Sequence, residues 1–111
     1  MIKVSNRQIS RFELFEVSGR LDTSNADELD RSVTLVLEQG CKYFLFDFNK
    51  LEYISSYGIR IFVKLIKAGV EISIMVKSDE VFEIFEMGGL EKTLHIKRNM
   101  LEAIKVFTQT K

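Results

Sequence analysis

Two adjacent serines and a glycine, in Ser55-Ser56-Tyr57-Gly58, sit where an apolar run ends and an amphipathic pattern begins. A hydroxyl at the start of a helix lies against unpaired backbone N–H groups and the positive end of the helix dipole. A phosphate placed on Ser55 or Ser56 is therefore partly accommodated by the chain that carries it, and it puts nearly two negative charges on the surface. That is the chemistry of a switch. Asp22, Asp47, Ser55 and Ser56 could converge at strand ends, where α/β sheets take ligands. A serine with no base beside it remains only a hydroxyl, so an enzyme is not expected. His95 sits in an apolar Leu-His-Ile setting with no Ser or Cys nucleophile near it and reads as a strand-end residue. One cysteine and one histidine cannot close a structural zinc site, and Cys41 is expected to fill space just before a strand. No metal, cofactor or catalytic residue is expected.

The rest of the chain must position that turn. Its 111 residues suffice for one core, so residues 1–111 read as a single domain. Apolar residues make up 46% and charged residues 29%, a globular balance. Sixteen basic against sixteen acidic residues, interleaved along the chain, leave no field that would steer it to nucleic acid. No stretch resembles a membrane span or a signal peptide, which gives the expectation of a cytoplasmic protein with no direct membrane insertion.

The elements alternate. Residues 2–7 suit a half-buried edge strand, and residues 12–18, ending at Gly19, suit its neighbour. Ala26, Leu29, Val33, Val36 and Leu37 recur at helical spacing, with Ser24 and Asp27 as a start signal and Gly40 as a stop. The apolar run at 43–48 reads as a strand buried on both faces. Residues 72–76 read as another strand. Ser78 opens a short helix that ends at a glycine pair, residues 94–96 form a brief strand, and Asn99 opens a last helix in which Met100, Ala103, Ile104 and Phe107 pack down. The order β-β-α-β-α-β-α-β-α predicts an α/β fold: a mixed, mainly parallel sheet of about five strands layered with four helices.

Within the helix after the serine turn, Ile59, Phe62, Val63 and Ile66 follow the spacing of one buried face, and Ser56, Arg60, Lys64 and Lys67 share a polar strip. Tyr57, Ile61 and Leu65 lie well around from that face. They are either exposed for a partner or buried by a neighbouring helix, and Tyr57, beside the serines, is the better interface residue. Arg60, one turn after Ser56, could reach a phosphate on it. Gly58 costs helix propensity, which points to close backbone approach, an unusual turn or simple tolerance near a helix end.

Three strings in order, Ser18-Gly19-Arg20-Leu21-Asp22 before the first helix, Ser55-Ser56-Tyr57-Gly58 before the second, and Val81, Ile84, Phe85, Gly89 and Leu90 in and after the third, resemble the STAS domain of bacterial anti-sigma factor antagonists. That family commonly reads GELD or GEID, then DSSG or DSTG, at the first two places. The resemblance covers nearly the whole chain. It implies a non-enzymatic, phosphorylation-controlled binding module that holds an anti-sigma factor, itself a serine-protein kinase, and releases it once phosphorylated. A PP2C-like phosphatase reverses the change. Registering on the glycine places the acceptor at Ser56, with Ser55 as the alternative. Asp22, Thr23, Ser24, Gly58 and Arg60 then surround it, and Tyr57, Ile61 and Lys64 fall to the partner-binding surface. Weak nucleotide binding near Asp22, Thr23 and Ser56 follows by family analogy, and the chain is expected to be a monomer or weak dimer.

Two departures stand out. Ser55 replaces the acidic residue that usually precedes the acceptor, which leaves open a different kinase specificity or an unphosphorylated STAS scaffold subunit of an ABC-transporter complex. Gly69 also arrives early, shortening the second helix by about one turn.

Overall fold

The computed structural model describes residues 2–108. Five strands and four helices alternate as the hydrophobic periodicity requires: β1 (Ile2–Ile9), β2 (Phe12–Leu21), α1 (Ala26–Glu38), β3 (Tyr43–Ile54), α2 (Ser56–Lys67), β4 (Glu71–Met75), α3 (Asp79–Met87), β5 (Ile96–Lys97) and α4 (Met100–Thr108). The strands form one sheet in the order β1-β2-β3-β4-β5; only the β1–β2 hairpin is antiparallel.

Strand alternation sends apolar side chains to both faces, so the sheet has two cores. On one face Phe15, Phe44, Phe46 and Phe48 pack beneath α1, α2 and α3, meeting Leu29, Phe62 and Phe85. The Phe62 ring stands edge-on to Phe46 with centroids 4.9 Å apart, a favoured aromatic geometry. On the other face α4 covers Phe12, Leu14, Leu45 and Met75 with Ala103, Val106 and Phe107. The hydroxyl of buried Ser73 donates to the Ala103 carbonyl at 2.7 Å, which pairs a polar group in that second layer.

Several boundaries differ from the sequence expectation. β3 runs to Ile54 instead of residue 48, and β2 passes through Gly19 to Leu21. The β2–β3 register slips between Glu16 and Ser18 and again between Gly19 and Arg20, each time with the extra residue on β3; Gly19, at φ +95°, lies opposite the second slip. These slips break the period-two pattern, so polar residues past 48 still belong to the ladder. β5 comprises only Ile96 and Lys97. His95 lies before it in a turn, at φ +54°, with Nδ1 3.0 Å from the Ile72 carbonyl. Cys41 packs against the main core ahead of β3, and its Sγ lies 3.2 Å from the Tyr43 carbonyl.

Candidate functional site

β2 and β3 end side by side, and the turn into α2 hangs from that junction. The Ser55 N–H donates to the Leu21 carbonyl at 2.9 Å, which fixes the start of α2 to the end of β2. The two serines then take different roles. Ser55 is the N-cap: it is extended, at φ −88° and ψ 166°, and its Oγ accepts from the Gly58 N–H at 3.1 Å. Ser56 is the first helical residue and is exposed; among the described residues its hydroxyl makes no hydrogen bond.

Gly58 is buried against the same junction. A Cβ there would lie 3.1 Å from both Ile54 Cγ1 and Leu21 Cγ. Of the three readings open for Gly58, close backbone approach is the one the structure supports.

The loop before α1 corrects the expected start signal. Ser24 does not cap the helix: its N–H and its hydroxyl both donate to Asp22 Oδ1, at 3.0 and 2.7 Å. Asn25 holds the cap position with no side-chain bond to the helix. Its amide ties the loop instead, accepting from the Asp22 N–H at 3.0 Å and donating to the Arg20 carbonyl at 2.8 Å. Asn25 is buried, and a side chain that serves two backbone groups of its own loop cannot also serve the helix. Asp22 therefore presents a carboxylate already used by Ser24, and those hydrogen bonds hold its pKa below the usual 3.8. Thr23 is exposed between them.

On α2 the buried face is Gly58, Ile61, Phe62 and Leu65, about 100° around from the expected Ile59, Phe62, Val63 and Ile66. Val63 is 37% exposed, while Ile59 and Ile66 are half-buried at the margin. The residue Ile61, expected at a partner surface, is only 5% exposed, and Leu65 is sealed. The helix has six apolar residues from 59 to 66, an arc too wide for periodicity to choose its centre; the close seat of Gly58 chooses it.

Tyr57, Arg60, Ile61 and Lys64 nevertheless share one place. With Ala26, Asp27 and Asp30 they line a hollow of about 310 Å³ between α1 and α2. Tyr57 is 39% exposed, and the Arg60 guanidinium stands 5.6 Å from its ring centroid. The Lys64 ammonium pairs with Asp30 and donates to Thr34 Oγ1 at 2.8 Å, joining α1 to α2. Asp30 and Thr34 gave no sequence signal, because only the packing of α1 beside α2 brings them to Lys64. Arg20 likewise came forward only through register: it lies beside Tyr53 across β2 and β3, with its guanidinium 4.5 Å from the ring centroid. Asp47 lies within β3, beside the first register slip and away from the serine turn, and its Oδ1 accepts from the Asn49 N–H at 2.9 Å. Among the described residues no group of three or more His, Cys, Asp or Glu is placed to hold a metal ion, and no helix is long and apolar enough to cross a membrane.

Known proteins resemble this chain in sequence and in fold. The chain is 28% identical over 90 residues to the anti-sigma-B factor antagonist of Staphylococcus aureus, covering 78% of this chain and 83% of that one. An anti-sigma factor antagonist from Mycobacterium paratuberculosis superposes with a TM-score of 0.90 at 16% identity, over 98% of this chain and 96% of that one. The antagonist SpoIIAA has been solved unphosphorylated, with a TM-score of 0.78 at 16% identity over 98% and 99% of the two chains. Its phosphorylated form, from Bacillus, gives 0.67 at 15% identity over 93% and 97%. The STAS domain model matches residues 3–103, from the edge strand into the last helix. With that match, and with the five-stranded sheet and its serine turn in place, the chain belongs to the STAS domain family.

Proposed function

We propose that this protein is an anti-sigma factor antagonist whose docking is switched by phosphorylation of Ser56. The observation that carries the reading is the division of labour between the two serines. Ser55 Oγ is engaged with the Gly58 N–H, whereas the Ser56 hydroxyl is exposed on the first turn of α2. An incoming kinase can reach Ser56 without dismantling the cap. The chain supplies only the accepting oxygen; nucleotide, metal and transition-state stabilisation belong to the kinase. The curated relatives named anti-sigma-B factor antagonists support the same reading.

Unphosphorylated, the chain offers Tyr57, Arg60 and the α1–α2 hollow to the anti-sigma factor, which also serves as the serine-protein kinase in the cytoplasm. A phosphate on Ser56 adds about −1.5 to −2 charges. The helix N-terminus tolerates that charge, and Arg60, one turn on, can leave the Tyr57 ring for a charge-assisted hydrogen bond to it. A partner surface matched to the neutral site is then lost through repulsion and desolvation. A PP2C-like phosphatase restores the first state.

The experiment pairs the chain with an anti-sigma factor kinase from the same genome and reads both binding and phosphate incorporation. Ser56→Ala is expected to keep binding and lose incorporation, and Ser56→Asp to weaken binding about tenfold or more. Phosphate found on Ser55, or binding unchanged by Ser56→Asp, overturns the assignment. Recovery of an ABC-transporter ATPase in place of a kinase would favour the scaffold reading.

A further inference from the structure

The face of the sheet that carries α4 is only half covered. α4 lies over the amino-terminal ends of β2 and β3, on Phe12, Leu14 and Leu45, and crosses to Met75 at the carboxyl end of β4, leaving the later part of β2 and β3, with β1 beside it, uncovered. There Lys3, Ser5, Glu16, Ser18, Asp47, Asn49 and Lys50 line a hollow of about 200 Å³. The registers arrange them in two rows across β1, β2 and β3. Lys3, Ser18 and Lys50 form one row; Ser5, Glu16 and Asp47 form the next.

The first row carries two positive charges and the second two negative ones. Among the described residues none of the four forms an ion pair; the ion pairs present are Lys64 with Asp30 and Arg98 with Asp79. Glu16 and Asp47 stand directly beside each other across β2 and β3, an unfavourable like-charge placement without a counter-charge. The patch as a whole is neutral, so it does not call for a partner of one sign. It is complementary to itself.

We propose that this open half-face seats a second copy of this chain, related by a two-fold axis that runs parallel to the rows and between them. That rotation lays the basic row of each copy on the acidic row of the other, so Lys50 meets Asp47, Ser18 meets Glu16 and Lys3 meets Ser5, each contact made twice. An axis along the strands would instead set Lys3 against Lys50 and Glu16 against Glu16, so charge alone selects the first orientation. The contact is independent of the Ser56 reading and, being polar and small, is of the weak, reversible class.

Analytical ultracentrifugation of the purified chain tests it. A monomer–dimer equilibrium is expected between about 10 and 500 µM. It should shift toward monomer as salt rises from about 0.1 M to about 1 M, where the screening length falls from roughly 10 Å to roughly 3 Å. Asp47→Lys and Lys50→Asp should each weaken self-association about tenfold or more, by setting like charges face to face. The double variant should regain it, and an equimolar mixture of the two single variants should form a heterodimer. Circular dichroism of each variant confirms that it is folded. A chain that stays monomeric over the whole range, or a dimer indifferent to salt and to both substitutions, overturns the proposal.

Discussion

At the scale of single residues, Gly58 and Ser56 divide the serine turn between packing and presentation. Gly58→Ala raises helix propensity by about 1 kcal/mol, which on its own would stabilise α2. The added methyl, however, meets Ile54 and Leu21 side chains at 3.1 Å in a packed junction. Overpacking of that kind costs about 1–3 kcal/mol, so a net loss of stability is expected in urea titration. Ser56→Ala, by contrast, should leave stability within about 0.5 kcal/mol of the parent, since the side chain touches little. The Asp22 carboxylate is held by Ser24, and its pKa is lowered in the folded state. A lowered carboxylate pKa adds stability above the unfolded value of 3.8, and that contribution is lost as pH falls through the folded value. Ser24→Ala should raise the Asp22 pKa in an NMR titration and flatten the acid side of the stability curve. An Asp22 titration unmoved by Ser24→Ala would remove this account.

At the scale of elements, the helices are held by caps of different kinds. Ser55, Ser78 and Asn99 each accept from a backbone N–H three residues on, whereas Asn25 spends its side chain on the loop before it. Replacing a true cap with alanine costs about 1 kcal/mol. Ser55→Ala and Ser78→Ala should each show that loss. Asn25→Ala should cost more, about 2 kcal/mol, because it removes a buried side chain that serves both the Asp22 N–H and the Arg20 carbonyl in part-buried hydrogen bonds. Equal losses at the three positions would contradict the distinction. The early end of α2, which closes at Lys67, leaves Lys64 in its last turn, where a cation is favoured and where Asp30 of α1 awaits it. Both partners are 41% exposed, so this pair orients the two helices more than it stabilises them.

At the scale of the whole molecule, the sheet separates a thick layer of three helices from a thin one. The serine turn belongs to the thick side, and α4 is held on the other by Phe107, by its neighbours Phe12 and Tyr43, and by Ser73. Phe107→Ala should cost about 3–5 kcal/mol, and much of that loss should fall on α4. Amide exchange in α4 should quicken more than exchange in α2, whose core residues Ile61, Phe62 and Leu65 belong to the separate cluster. Uniform acceleration across the chain would show that the two layers unfold as one.

The sequence alone determined the order and type of the nine elements, because hydrophobic periodicity and cap residues act locally. The runs Phe44 to Phe48 and Ile72 to Val76 could only be buried strands, and Ser78 and Asn99 announced their helices. It also located the serine turn. What only the tertiary structure decided was which side each ambiguous residue faces. The apolar arc of α2 is too wide to have a centre until Gly58 seats against Leu21 and Ile54, so Ile61 turns inward and Val63 outward. The pairing of Lys64 with Asp30 depends on α1 packing beside α2, and the extent of β3 and the rows across β1, β2 and β3 depend on bulges and register. Register is a relation between strands far apart in the chain, and a local pattern carries no record of it.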